Sequence, residues 1–187
     1  MGHLIVEQVV TVDGYAEDAD GGISFFGAMD DDLTPNEPGQ VELLERVDAI
    51  LLGRRTYGMF ADYWPKADSV VEPVAEPIAR LPKYVASNTL TDAPWGDGSV
   101  EILRGDGAEA AAALKDRFDA IVVWGSLTLA DALLDAGLVD ELRLRLVPVL
   151  IGEGRSFTPN DLGERRLQLD HVVTHPSGHV GMTYRLR

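Results

Sequence analysis

The sequence predicts an α/β fold: a mixed, mostly parallel sheet with helices on both faces and an antiparallel hairpin at the carboxyl end. Three observations lead there. Apolar strand patterns alternate with amphipathic helical stripes up to Gly137, which implies right-handed parallel crossovers and a sheet covered on both sides. Two strand ends, Ile50-Leu51-Leu52-Gly53 and Ile121-Val122-Val123-Trp124-Gly125, run directly into helix patterns. Beyond Gly137 the pattern becomes two-residue alternation, and its last two runs are joined by the turn signal Pro176-Ser177-Gly178. With 187 residues and no linker or repeat, one domain over 1–187 is expected.

Taken in order, residues 4–10 read as a first strand, closed by the Asp13-Gly14 turn. Residues 17–27 are rich in Asp and Gly and read as an irregular loop over a site. Pro35 and Pro38 bracket a helix start, and Val41, Leu43, Leu44 and Val47 give that helix an apolar stripe. Residues 48–52 form a buried strand and 54–63 the helix after its glycine. Prolines 65, 73, 77 and 82 break the next stretch into short pieces. Residues 83–87 and 99–103 read as strands, 107–118 as an alanine-rich helix, 120–124 as a buried strand, and 127–136 as a helix stopped by Gly137. Leu142, Leu144 and Leu146 alternate with Arg143 and Arg145, and 165–175 and 179–187 form the hairpin.

Composition excludes several function classes. A net charge of −15 argues against nucleic-acid and anionic-membrane surfaces, which need basic patches. Any anionic ligand must be met by local arginines and backbone dipoles. The chain has no cysteine, so disulfides, thiolate catalysis and cysteine metal sites are out. Hydrophobic residues reach 45%, enough for a real core. No stretch is apolar enough to span a bilayer, and residues 4–10 are interrupted by Glu7 and Gln8 without a basic flank. A cytoplasmic protein is the expectation.

The chemistry-bearing features sit at strand ends. A strand that stops at glycine and opens a helix lets backbone N–H groups approach a phosphate, and the helix dipole favours its charge. At Gly53-Arg54-Arg55-Thr56-Tyr57 the threonine offers a hydroxyl and either arginine a charge-assisted fork; a plain strand-to-helix turn with solvated arginines is the alternative. Gly125-Ser126 opens the second helix. Ser87-Asn88-Thr89 is a third polar cluster at a strand's carboxyl end, the edge where open α/β sheets bind ligands. His171, His175 and His179 read as exposed sheet histidines, not metal ligands. Asp13 could face a ligand or form its turn; Tyr57 and Trp64 could wall a ring-shaped substrate or pack in the core.

These motifs resemble the dihydrofolate reductase-like superfamily, in particular the reductase domain of the riboflavin-biosynthesis deaminase-reductase. Thr11-Val12-Asp13-Gly14 is similar to that group's Ser/Thr-Leu-Asp-Gly, and Gly53-Arg54-Arg55-Thr56-Tyr57 to its Gly-Arg-x-Thr-Tyr/Trp. Lys83-Tyr84-Val85-Ala86-Ser87 resembles its third core strand. The longest match is ordered: Trp124-Gly125-Ser126, then Gly137-Leu138-Val139-Asp140-Glu141, then Pro148-Val149-Leu150-Ile151-Gly152. Thr174-His175-Pro176-Ser177-Gly178 resembles the terminal hairpin of the stand-alone members.

The resemblance implies a dihydrofolate reductase-like three-layer fold, commonly homodimeric, that uses NADPH to transfer hydride to a C=N or C=O substrate. It places Gly53, Arg54, Arg55 and Thr56 at the 2′-phosphate and diphosphate, Ser87 and Asn88 along the adenosine end, and Gly125, Ser126, Leu127 and Thr128 on the diphosphate. Val10 and Thr11 would lie near the nicotinamide. Asn88 stands where many members carry a basic residue, which leaves NADH open as a cofactor, and Ser126 replaces the second glycine of the superfamily's Gly-Gly. Glu37 lies at a plausible offset for the folate enzymes' substrate carboxylate, in a segment too different to support a folate substrate. Asp13 as a polar orienter, Tyr57 as proton donor or wall, and Trp64 as pocket lining complete the expected site. The leading expectation is an NAD(P)H-dependent reductase of a small, heterocyclic or nucleoside-like compound; the alternative is a regulatory cofactor-binding protein without turnover.

Overall fold

The protein is described by a computed structural model covering residues 1–28 and 38–186. Glu37, Asp30 to Asp32 and Pro35 lie outside the described residues. An eight-stranded sheet organises the molecule, in the order β11-β12-β9-β1-β8-β3-β4-β7. Its members are β1 (His3–Thr11), β3 (Ala49–Gly53), β4 (Lys83–Ala86), β7 (Glu101–Leu103), β8 (Ala120–Trp124), β9 (Glu141–Val147), β11 (Leu167–Thr174) and β12 (Val180–Leu186). Two small antiparallel pairs flank it: β2 (Tyr15–Glu17) with β10 (Arg155–Ser156), and β5 (Pro94–Trp95) with β6 (Gly98–Ser99). The expected strand over 99–103 is thus split, its first residue going to the β5–β6 hairpin and its end to β7.

Helices α1 (Pro38–Glu45), α2 (Arg54–Tyr63) and α3 (Ala75–Arg80) pack on one face of the sheet, and α4 (Gly107–Lys115) and α5 (Leu127–Asp135) on the other. Strand alternation sorts two cores. Ile5, Ile50, Leu52, Val85, Val122 and Trp124 point to the first face; Leu4, Val6, Leu51, Ile121 and Val123 point to the second, against Leu114, Ala130 and Leu133. The central strands are buried on both faces because helical crossovers cover both, the condition of a parallel sheet. Helix α5 ends in a Schellman arrangement: Gly137, at φ 65°, donates to the Leu134 carbonyl, and Leu138 to that of Leu133.

The sheet is parallel for longer than the sequence suggests. β9 pairs in parallel with β1, and only β12 turns antiparallel, docking on β9 before β11 takes the edge. The alternation in 141–147 reports the exposure of that strand, which is compatible with either direction. The histidine expectation also needs correction. His179 is fully buried and stacks on His175 with ring centroids 3.7 Å apart, its Nδ1 within 2.7 Å of Ser177 Oγ. A register shift between Leu169 and His171, with His175 already in the turn, breaks the simple alternation.

Candidate active site

The carboxyl ends of β3, β4 and β8 and the second half of β1 open onto one cavity of about 1050 Å³. Its lining includes Gly53 to Thr56, Ser87, Asn88 and Gly125 to Leu129, together with Gln40, Phe60, Tyr63, Trp64 and Trp124. The two glycine junctions therefore share one wall, as expected from their place at strand ends.

What joins them is a set of short-range polar contacts. Gly53 N–H donates to Ser126 Oγ at 2.8 Å, and Ser126 Oγ–H donates to the Trp124 carbonyl at 2.8 Å. In return, Ser126 N–H donates to Thr56 Oγ1 at 3.0 Å. Gly125 and Ser126 are both left-handed, at φ 51° and 52°. That conformation costs an L-residue of the serine type roughly 1–2 kcal/mol, and here the hydroxyl's two bonds hold it. Gln8 Nε2 donates to the Gly125 carbonyl and fixes the same turn from β1.

Neither α2 nor α5 has a side-chain cap; Gly53 and Ser126 stand at their N-cap positions. Helix α4 differs: Asp106 accepts from Ala108 and Glu109 N–H and occupies its own helix start. Uncapped N–H groups carry the positive end of a helix dipole and suit an anion. Two such ends on one wall suit a diphosphate, so the residues present fit a dinucleotide.

Each expected residue has a definite place. Arg54 is exposed on the wall and has no ion-pair partner among the described residues. Arg55 is engaged: it donates to Glu17 Oε1 at 3.0 Å and to the Gly21 carbonyl. It thereby ties down the loop that brings Gly21, Gly22, Ile23 and Phe26 to the cavity. Thr128 lines the cavity and accepts from Arg155 at 3.1 Å. Ser87 Oγ accepts from Leu90 N–H, and the Asn88 amide makes a reciprocal pair with the Gly105 backbone. Both side chains shape the β4 exit.

Four expected residues do not reach the cavity wall. Val10 and Thr11 are buried, and Gln8 and Val9 line the cavity in their stead. Asp13 accepts from Thr11 Oγ1 at 2.6 Å and from Gly152 and Ile151 N–H, tying the first turn to the segment after β9. The Thr11 hydroxyl, then Gly152 N–H, hold its carboxyl below the usual range. Tyr57 is buried and donates to the Pro94 carbonyl at 2.6 Å; burial, then Asp92 and Asp62, push its phenol up. Trp64 does line the cavity, in an aromatic wall where Phe60 lies 6.0 Å from Trp64 and 5.6 Å from Trp124 between ring centroids.

The sequence reading missed Glu7, Gln8, Gln40 and Arg155. Glu7 and Gln8 interrupt an apolar strand, which was the available signal. Gln40 and Arg155 gave none, because long-range folding alone brings them here.

The RibD C-terminal domain family matches residues 2–180. The chain belongs to that family. A relative across nearly the whole length is the Bacillus subtilis (strain 168) protein YyaP, itself described as uncharacterized, 27% identical over 184 residues, covering 97% of this chain and 93% of that one. Among solved structures, a protein of Shewanella sp. PV-4 named for riboflavin biosynthesis superposes with a TM-score of 0.78 at 24% identity, covering 99% of both chains. Dihydrofolate reductase from Enterococcus faecalis, complexed with NADP(H), gives a TM-score of 0.59 at 17% identity, over 100% of this chain and 97% of that one. These likenesses establish the dihydrofolate reductase-like fold. Among the described residues no helix is long and apolar enough to cross a membrane.

Proposed function

We propose that the protein is an NAD(P)H-dependent reductase that delivers hydride to a C=N or C=O bond of a small heterocyclic or nucleoside-like compound. One observation carries this reading: the uncapped starts of α2 and α5, locked together by Ser126, Gly53 and Thr56, line one cavity that Phe60, Trp64 and Trp124 also line. Membership of the RibD C-terminal domain family supports it.

In this reading the N–H groups of α2 and α5, with Arg54, hold the diphosphate, and Thr56 keeps its own O–H proton to donate. Ser87 and Asn88 support the adenosine end through the β4 exit. The nicotinamide supplies the hydride when bound, and the protein's part is to align the acceptor and exclude water. Gln8 and Val9 floor the nicotinamide end, while Trp64, Phe60 and Trp124 stack the acceptor. We assign Asp13 and Tyr57 to shaping the site, because both side chains are committed elsewhere.

A cytoplasmic homodimer completes the reading. Edge strand β11 is exposed at every position and carries Leu167, Leu169, Val172 and Val173, an apolar edge suited to a second copy. Light scattering at twice the chain mass is the expected result.

A second reading, a cofactor-binding protein without turnover, draws on the absence of Asp13 and Tyr57 from the wall. Titrating NADPH and NADH by fluorescence, then following cofactor oxidation with pteridines, ribosylaminopyrimidines, quinones and carbonyls, separates the two. Oxidation with any acceptor supports the reductase; binding without oxidation across the panel supports the second reading.

A further inference from the structure

The far end of the cavity holds a buried carboxylate that the cofactor reading does not use. Glu7 lies on β1 with Arg143 of β9 and Trp124 of β8 directly alongside in register, so the three side chains form one row across the sheet. Only 3% of Glu7 is exposed, yet it lines the cavity. Its Oε1 accepts from Gln40 Nε2 at 2.8 Å and from Trp124 Nε1 at 3.1 Å, and its Oε2 accepts from Arg143 Nε at 2.9 Å. Arg143 is itself held by donating to the Gly39 carbonyl.

Stability is a poor reason for this arrangement. A buried ion pair is commonly no better than well-packed apolar residues of the same volume, since desolvation offsets the attraction. Ile5, two residues earlier on the same strand face, belongs to the apolar core on that side of the sheet, as do Leu44 and Phe60. Three donors from three elements do fix one thing, the orientation of the carboxylate. All three neighbours donate, which suits an acceptor and leaves no role as a proton source. A carboxylate has about four acceptor positions, and the three donors among the described residues leave one, on Oε2.

We infer that Glu7 determines specificity for the acceptor: it takes a hydrogen bond from an N–H or O–H on the edge of a planar ring stacked against Trp64 and Phe60. The substrate class is then an uncharged flat heterocycle with a donor on its edge, not an apolar quinone or an aldehyde. This rests on the reductase reading, but its failure is separable. Loss of that reading shows as absent NADPH binding or as binding without oxidation of any acceptor; loss of this one shows in the preference between the two probes, with NADPH binding and oxidation intact.

The test uses a matched pair of probes, quinazoline-2,4-dione and its 1,3-dimethyl derivative, titrated into the NADP⁺-loaded protein. The wild type should bind the N–H form about tenfold or more tighter, the worth of one charge-assisted hydrogen bond. In E7Q that preference should collapse while NADP⁺ affinity holds. Because E7Q leaves Arg143 against an amide and can fail to fold, E7L/R143L removes the pair as a whole, with NADP⁺ binding reporting the fold. Collapse of the preference in either folded variant supports the assignment, since a structural role would not separate the two probes. No preference in the wild type, including no binding of either probe, or a preference retained in E7L/R143L, overturns it.

Discussion

Ser126 Oγ accepts the Gly53 N–H at 2.8 Å, so one hydroxyl spans the two strand-to-helix junctions on which the cofactor reading depends. The contact joins residues distant in sequence and holds a serine in the left-handed region. Ser126→Ala keeps the strained backbone but orphans the Gly53 N–H and should cost about 1–3 kcal/mol. Ser126→Gly relieves the backbone and should cost less. Urea unfolding of both variants against the wild type checks this; no loss in Ser126→Ala would show that the hydroxyl does not hold the turn, and equal losses in the two variants would show that the backbone there stores no strain for glycine to relieve.

Arg54 and Arg55 should separate. Arg54→Ala removes a wall charge with no described partner and should weaken NADPH binding by about 1.5–3 kcal/mol, the worth of a charge-assisted bond. A larger loss for NADPH than for NADH would place it at the 2′-phosphate. Arg55→Ala should instead loosen the loop held through Glu17 and Gly21. Faster proteolysis within residues 18–24, with a smaller change in affinity, is the expected signature.

Asp13→Asn and Tyr57→Phe should both retain hydride transfer once an acceptor is found. Tyr57→Phe loses a bond to the Pro94 carbonyl and should cost about 0.5–1.5 kcal/mol of stability. A large fall in kcat at unchanged stability, in either variant, would return that residue to the chemistry.

Acid stability should depend on Glu141. Burial works against its carboxylate, but the hydrogen bond and charge of Arg46, with His3 and Arg143, hold it below its ordinary value of 4.5. A lowered folded value means the stabilisation is complete above the unfolded pKa and disappears as pH falls through the folded one. Glu141→Gln should thus be less stable at pH 7, by about 1–2 kcal/mol given that Arg46 is half exposed. The gap should close on acidification below 4.5. A gap independent of pH would contradict the ion-pair account.

The fold was legible because its signals are local. Strand runs such as 120–124, the helix after Gly53 and the Gly137 stop each depend on neighbours in sequence, and the residue patterns place them within a few positions. The direction of β9 was not legible, since Leu142, Leu144 and Leu146 alternate whichever way the partner runs. The glycine junctions were readable as phosphate-suited turns, but not the Ser126 hydroxyl that joins them. Asp13 and Tyr57 have chemistry-bearing side chains whose commitments, to Gly152 and Pro94, are long-range. Glu7 was visible only as an interruption in an apolar strand, and the three donors that hold its carboxylate come from β8, β9 and α1, all distant in sequence.

The central claim is that the two junctions hold a dinucleotide, and fluorescence titration of NADPH into the wild type and Gly125→Val tests it most directly. Gly125 sits at φ 51°, and a Cβ there would lie 3.4 Å from Thr56 Oγ1, the acceptor of Ser126 N–H. A branched side chain in that position breaks the joint without entering the core. The account predicts saturable NADPH binding by the wild type and its loss in Gly125→Val, with an unchanged circular dichroism spectrum. No binding by the wild type, or undiminished binding by the variant, would contradict it.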